Sequence, residues 1–115
     1  MSEDCLFCKI ARGEIPSRRQ YEDERFFAFH DISPQAPVHL LVIPKEHIPT
    51  LDDVEERHAD LLGGLMILIP RLARDLEISE NGYRIVTNCR EGAGQSVFHV
   101  HFHLLGGRPM RWPPG

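Results

Sequence analysis

Apolar residues recur at helical spacing through the middle of the chain. The stripe consists of Leu61, Leu65, Leu68, Leu72 and Leu76. Steps of three and four residues place these side chains on one helix face, which predicts a long helix over about 54–76. Pro70 lies inside this range, and because proline lacks a backbone donor we expect a kink or break there. A shorter helix is predicted over 4–12, with Asp4 as its cap and Gly13 at its end.

Shorter segments rich in apolar and aromatic residues, separated by turn signals, predict β-strands. Their ranges are 18–22, 25–31, 38–43, 83–88 and 97–105. The turn signals between strands are short, which favours antiparallel connections over parallel crossovers. One long helix packed on an antiparallel sheet is an α+β architecture. A chain of 115 residues is long enough for one such domain but not for two.

Three of the seven histidines alternate with apolar residues in the last predicted strand: His99, His101 and His103. Side chains alternate along a strand, so these imidazoles share one face while the residues between them face the core. A purely structural role would require a partner for each imidazole. A single zinc ion with bonds of about 2 Å cannot bind both ends of a row roughly 13 Å long. Either adjacent histidines share an ion, or one imidazole attacks a substrate while its neighbours orient it and exchange protons.

The loop before this strand carries anion-binding features. Gly92 and Gly94 allow backbone N–H groups to approach an anion, and Gln95 and Ser96 add side-chain donors. A net charge of −4 with scattered basic residues disfavours a nucleic acid polymer as ligand. A single nucleotide remains compatible with this charge, so the loop predicts a phosphate site.

Cys5 and Cys8 form a C-x-x-C pair. A redox pair would normally lie in a thioredoxin-like βαβ unit, which this sequence lacks, so the spacing favours two ligands of a structural zinc. The alternative is that both cysteines are small apolar packing residues. No partner is evident for Cys89. The acidic start of the chain and an apolar run, residues 61–69, that is too short to cross a bilayer favour a cytoplasmic protein without membrane attachment.

The segment from His99 to Leu105 matches the His-φ-His-φ-His-φ-φ signature, where φ is apolar, and resembles the histidine triad superfamily. The segments FCKIARGEIPS, FHDISPQAPVHLLVIPKEHI, GQSVFHVHFHLLGGR and WPPG resemble its Hint branch of nucleotide-binding proteins. This resemblance implies a single histidine triad domain over 1–115. It also implies a five-stranded antiparallel sheet with one long and one short helix. Two subunits would join their sheets edge to edge and pack their long helices together as a homodimer.

The same resemblance implies a purine nucleoside phosphoramidase in which His101 is the nucleophile. His101 would attack the α-phosphorus, displace an amine and form a nucleotidyl-imidazole that water hydrolyses. The amine departs readily only when protonated, and by family analogy Ser96 relays that proton. His103 and His39 would steady the phosphate and the nucleophile. A carbonyl, that of His99 or of a residue near it, is needed to hold the His101 tautomer.

Substrate-binding residues are also implied by the resemblance. The base and ribose pocket would comprise Phe7, Phe29, Asp31 and Ile32, and the phosphate side Asn88, Gln95 and Ser96. Trp112 in the C-terminal tail would reach the partner subunit's site. An aspartate that accepts both ribose hydroxyls would favour ribonucleotides. From the sequence alone, Phe27 and Phe29 are most simply core residues, and the tail RWPPG is a frayed end.

Relatives that keep the cysteine pair bind zinc, and the resemblance implies a ligand set of Cys5, Cys8, His47 and His99. This set is compatible with the length of the histidine row, because zinc would take one end and leave His101 and His103 for chemistry.

Three other functions remain open at this point. The first is a nucleotide-binding regulatory module in which turnover is incidental. The second is a hydrolase that uses zinc directly, which would need an open coordination position. The third is a nucleotidyl transferase that passes the intermediate to phosphate or a sugar.

Overall fold

The computed structural model describes residues 4–115 and contains one five-stranded antiparallel sheet. The strands are β1 (Arg19–Glu22), β2 (Phe26–His30), β3 (Val38–Pro44), β4 (Tyr83–Val86) and β5 (Phe102–Gly106). Their order in the sheet is β1-β2-β3-β5-β4, and every neighbouring pair is antiparallel. The predicted α+β class is confirmed. Residues 1–3, which open the acidic N-terminal stretch, lie outside the described part of the chain.

The short helix α1 comprises Leu6–Ala11 and is capped by Cys5, whose sulfur accepts a hydrogen bond from the Cys8 backbone N–H at 3.3 Å. The prediction of Asp4 as the cap is therefore wrong. Gly13 follows the helix with a φ of 79°, as expected for a glycine at a helix end.

The long helix α2 comprises Ala59–Asp75 and begins later than the leucine stripe predicts, because 3₁₀ turns occupy residues 51–53 and 56–58. It continues through Pro70, so the expected break is absent. The carbonyl that loses its helical donor belongs to Met66, which lies on the exposed side of α2, where water can replace the lost bond. Within residues 4–115, no helix has the length and apolar character needed to cross a membrane.

The two faces of the sheet carry separate apolar clusters. Helix α2 covers one face, where Ala28, Leu40 and Val42 pack against Leu65, Leu68, Ile69 and Leu72 of the helix. Helix α1 covers the other face, where Phe7 and Ile10 pack with Phe27, Phe29, Leu41 and Ile43. The expectation that Val100, Phe102 and Leu104 face the core under the long helix is confirmed, since all three belong to the α2 cluster.

The last strand begins five residues later than predicted, at Phe102 instead of residue 97. His99 and His101 therefore precede the strand, and only His103 lies within it. The cause is a backbone bond made outside the sheet: the Val100 N–H donates to the Ile48 carbonyl at 2.6 Å. This bond ties the preceding segment to the loop after β3, while Val100 and Phe102 still pack in the α2 cluster.

Candidate active site and metal cluster

The imidazole of His101 is buried and held in one tautomer. Its Nδ1 lies 2.7 Å from the His99 carbonyl oxygen. A carbonyl only accepts, so Nδ1 must carry the proton and Nε2 keeps its lone pair. The Phe7 ring meets the imidazole edge-on, with centroids 5.0 Å apart. The carbonyl that the sequence analysis required for this tautomer is thus present, and His101 has the form that a nucleophile needs.

His39 and His103 form a pair of hydrogen-bonded imidazoles beside His101. The Gln35 backbone N–H donates to His39 Nδ1 at 3.0 Å, so the proton of His39 lies on Nε2. His39 Nε2 then donates to His103 Nδ1 at 2.9 Å. By the same reasoning a neutral His103 carries its own proton on Nε2. One backbone amide therefore sets the tautomers of both rings and makes His103 Nε2 a donor.

The Asp31 carboxylate lies next to this pair. One oxygen is 3.5 Å from His39 Nε2, and the other accepts a hydrogen bond from the Ser33 backbone N–H at 2.8 Å. The Asp31 backbone N–H in turn donates to the His39 carbonyl at 2.9 Å. Asp31 is only half-buried, so its carboxylate lies at the edge of the site, held by its own turn.

Burial keeps the imidazoles of this site neutral. Removal from water lowers the pKa of His101 and of His39, and in both cases the nearby Asp31 charge opposes the shift. Burial, with repulsion from His101 and His39, lowers the pKa of His103 to about 4. At pH 7 His101 therefore keeps its lone pair without giving up a proton first.

These lowered pKa values predict a dependence of stability on pH. The unfolded chain binds protons at histidine near pH 6.5, whereas the folded chain resists protonation of His103 down to about pH 4. The free energy of unfolding should therefore fall as the pH is lowered from 7 towards 4.5, which urea titrations at several pH values would measure. The free energy of unfolding of His103→Gln should fall less steeply with decreasing pH than that of the parent. Equal slopes for the two proteins would contradict the lowered pKa of His103.

The structure connects some of the predicted substrate residues with the histidines and leaves others apart. Phe7 and Phe29 are buried and pack edge-to-face at 5.4 Å, and Phe7 also contacts the His101 ring. Ile32 is 98% exposed, and Trp112 is 82% exposed with the Arg84 guanidinium over its ring. Neither of these two contacts the histidines within one chain. Asn88 is half-buried in the segment that follows β4.

Gln95 and Ser96 differ in their availability to a phosphate. The buried Gln95 amide donates to the carbonyls of Pro49 and Val97, and its oxygen accepts from the Arg90 backbone N–H. Its side-chain donors are therefore not free for a phosphate, and Gln95 instead shapes the loop. Ser96 is exposed and lines a surface cavity of about 510 Å³ together with Cys5 and His47.

Four side chains converge into a cluster that could hold a metal ion: Cys5, Cys8, His47 and His99. His99 Nδ1 lies 3.3 Å from Cys5 Sγ, 3.4 Å from Cys8 Sγ and 3.3 Å from His47 Nδ1. Tetrahedral zinc with its usual bond lengths separates two ligand nitrogens by about 3.3 Å and a nitrogen from a sulfur by about 3.5 Å. The observed spacings fit that geometry.

The surroundings of the cluster also suit a cation. His99 Nε2 donates to the Pro44 carbonyl at 2.7 Å, which leaves the Nδ1 lone pair directed at the cluster. Burial, together with the neighbouring Cys5, raises the pKa of the Cys8 thiol to about 11. Two thiolates at this position therefore require a compensating positive charge.

The groups that orient the histidines were missed by the sequence analysis. They are the Gln35 backbone N–H, the Pro44 carbonyl and the Thr87 hydroxyl, which donates to the His101 carbonyl at 2.8 Å. Backbone groups have no signature in a sequence. A threonine at the end of a strand is common enough to carry no signal by itself.

A five-stranded antiparallel sheet with one long helix and three histidines in alternation defines a histidine triad protein. The HIT domain family matches residues 12–110, and the chain belongs to that family. The purine nucleoside phosphoramidase of Escherichia coli (strain K12) is 47% identical over 110 residues, which are 96% of this chain and 92% of that protein. The chain is accordingly a hydrolase of the HIT type.

Solved structures agree with this assignment. A HIT family hydrolase from Legionella pneumophila Philadelphia 1 is 54% identical, with a TM-score of 0.96 over 97% of this chain and 100% of that one. A histidine triad nucleotide-binding protein from Candida albicans is 36% identical, with a TM-score of 0.82 over 96% of this chain and 83% of that one.

Proposed function

We propose that this protein hydrolyses purine nucleoside phosphoramidates through a covalent nucleotidyl-histidine intermediate at His101. The observation that carries the proposal is the fixed, neutral tautomer of His101, with its Nδ1 proton bound to the His99 carbonyl and its Nε2 lone pair unprotonated. The named activity of the E. coli relative supports the same substrate class.

In the first step a bond forms between His101 Nε2 and the α-phosphorus as the bond from phosphorus to the amine nitrogen breaks. The departing nitrogen takes a proton, which we assign to Ser96. His103 Nε2–H donates to a phosphate oxygen and is held in that orientation by His39. Water then breaks the bond between phosphorus and Nε2, releases the nucleoside monophosphate and replaces the proton given to the amine.

The base is proposed to lie against Phe7 and Phe29, with Asn88 on the phosphate side. We assign Asp31 to the two ribose hydroxyls, since its carboxylate lies at the edge of the site beside His39. Ile32 and Trp112, exposed within a single chain, are assigned to the nucleoside pocket and to the partner subunit's site respectively.

Asp31→Ala should raise the KM for adenosine 5′-phosphoramidate by about 10- to 100-fold, because hydrogen bonds to a charged group contribute about 1.5–3 kcal/mol. It should also reduce the preference for the ribonucleotide over its 2′-deoxy analogue. Steady-state kinetics with both substrates measure the two effects. Asp75→Ala, at an exposed aspartate at the end of α2, is the matched control and should leave both values unchanged.

Cys5, Cys8, His47 and His99 are proposed to hold a structural zinc ion. These four ligands would fill a tetrahedral site and leave no open position, which disfavours the alternative of a hydrolase that uses zinc directly. The ion would supply rigidity and no step of the reaction. It would tie the start of α1 to the segment that carries His101.

We further propose a cytoplasmic homodimer that binds a single nucleotide and neither membranes nor nucleic acid polymers. The exposed Ile67 on α2 is compatible with packing against a second long helix. Light scattering at two protein concentrations measures the oligomeric state, and a monomer at both concentrations would contradict the dimer.

The activity is tested by incubating the protein with adenosine 5′-phosphoramidate and following AMP and ammonia. Equal amounts of both are expected. A regulatory module would bind AMP with negligible turnover. A nucleotidyl transferase would form ADP when inorganic phosphate is added. Either result would replace the proposed hydrolysis.

A further inference from the structure

The backbone of His101 lies just beyond the paired part of the sheet. On one side the pairing of β5 with β3 begins at Val42 and Phe102, and on the other the pairing with β4 begins at Val86 and His103. The sheet register therefore stops short of His101 on both sides. A nucleophile must nevertheless be held accurately, since an error of about 1 Å in its placement can cost on the order of 100-fold in rate.

The Thr87 side chain fixes this backbone where the register ends. Thr87 directly follows Val86, the last paired residue of β4. Its hydroxyl donates to the His101 carbonyl at 2.8 Å. The side chain thus makes a cross-strand bond where backbone pairing has stopped, and the bond reaches His101 itself.

Two other bonds hold the same segment, and both come from backbone groups. The Val100 N–H donates to the Ile48 carbonyl at 2.6 Å, and the His99 carbonyl accepts from the His101 ring at 2.7 Å. These bonds fix the preceding residue and the ring. The bond from Thr87 fixes the carbonyl of His101 and so restricts rotation of its peptide unit.

We infer that Thr87 is a positioning residue for His101, acting through the hydrogen bond from its hydroxyl to the His101 carbonyl. This inference rests on the proposed role of His101 as the nucleophile. The bond involves none of the groups assigned to the base and ribose. Its loss should therefore reduce the rate of the chemical step without changing how tightly the nucleotide binds.

The test compares two substitutions at this position with adenosine 5′-phosphoramidate as substrate. Thr87→Val keeps the shape but removes the donor, and kcat should fall about 10-fold. KM and the Kd for AMP should stay within about twofold of the parent. Thr87→Ser restores a hydroxyl and should recover most of the lost kcat. A second environment for the His101 ring should also appear in the imidazole NMR spectrum of Thr87→Val.

Tyr21→Phe is the matched control. It removes a hydroxyl that donates to Asp23 at 2.6 Å, in the strand at the opposite edge of the sheet. This variant tests whether the loss of any hydroxyl hydrogen bond lowers kcat, and its kcat should equal that of the parent.

The inference is overturned if kcat of Thr87→Val stays within twofold of the parent, if the whole loss falls on KM, or if Thr87→Ser is as slow as Thr87→Val. A Thr87→Val protein that does not fold would make Thr87 a purely structural residue and also overturn it. An inactive parent would refute the proposed hydrolysis instead, so the two failures are distinguishable.

Discussion

Replacement of His101 by alanine is expected to lower kcat for adenosine 5′-phosphoramidate by roughly 10⁴-fold or more, the scale seen when a nucleophile is removed. The variant removes the only atom assigned to attack phosphorus, and His103 cannot replace it because its Nδ1 accepts a bond from His39. AMP should still bind with an affinity within a few-fold of the parent, because the base and ribose contacts do not include His101. Steady-state kinetics and calorimetry measure the two quantities.

His58→Ala is the control for the removal of a buried histidine. His58 is as buried as His101, but its ring bonds to Glu46 and the Glu55 backbone N–H at the start of α2. This variant should lose stability and keep its kcat. In the parent, alkaline quenching followed by mass spectrometry should detect one nucleotidyl group on the peptide that contains His101. Retained hydrolysis in His101→Ala would remove His101 as the nucleophile.

The fold could be predicted where burial alone decides it. The leucine stripe located α2, and the alternation of Val100, Phe102 and Leu104 placed these residues under that helix. Where competing hydrogen bonds decide the structure, the sequence was insufficient to predict it. The hydrogen bond from Val100 to Ile48 lies outside the sheet, so the last strand begins later than predicted. The sulfur of Cys5 takes the capping position predicted for Asp4.

Pro70 shows a different kind of error. The expectation of a kink or break rested on the missing backbone donor, whereas the carbonyl left without that donor belongs to Met66, on the exposed side of α2. Exposure of a single carbonyl depends on how the helix is oriented on the sheet. That orientation is a tertiary property, and a local pattern does not contain it.

The candidate site was predictable in its residue types and less so in its organisation. The alternation of the three histidines with apolar residues indicated that they share a surface. It could not identify the partner of each imidazole. In the structure His99 joins two cysteines, His101 bonds to a carbonyl, and His103 pairs with His39. The choice of partner depends on β3 and α1, which are distant in sequence from the histidine row.

His99 connects the two halves of the site. Its ring belongs to the metal cluster, while its carbonyl holds the proton of His101. Any change that loosens the ring also loosens the carbonyl, because both belong to one residue with no strand pairing of its own. In the proposed mechanism the cluster therefore supports the nucleophile His101, although no proposed step uses it.

Loss of the proposed zinc ion is consequently expected to destabilise the whole protein. Cys5→Ser should reduce the metal content from about one zinc per chain to near zero, because a serine hydroxyl is a poor zinc ligand. The serine oxygen can still cap α1 in place of the sulfur, so the loss reports on the metal and not on the cap. Since the binding energy of a structural zinc is folding energy, the melting temperature should fall by roughly 10 °C or more.

Cys89→Ser is the matched control, because Cys89 lies outside the cluster and its replacement should leave both zinc content and melting temperature unchanged. Elemental analysis and thermal denaturation measure the two quantities, and a strong chelator added to the parent should reproduce the behaviour of Cys5→Ser. If Cys5→Ser kept as much zinc as the parent, the ion would have to be held elsewhere. The link from metal through His99 to His101 would then be lost, whereas the assignment of His101 as the nucleophile would stand on its own hydrogen bond.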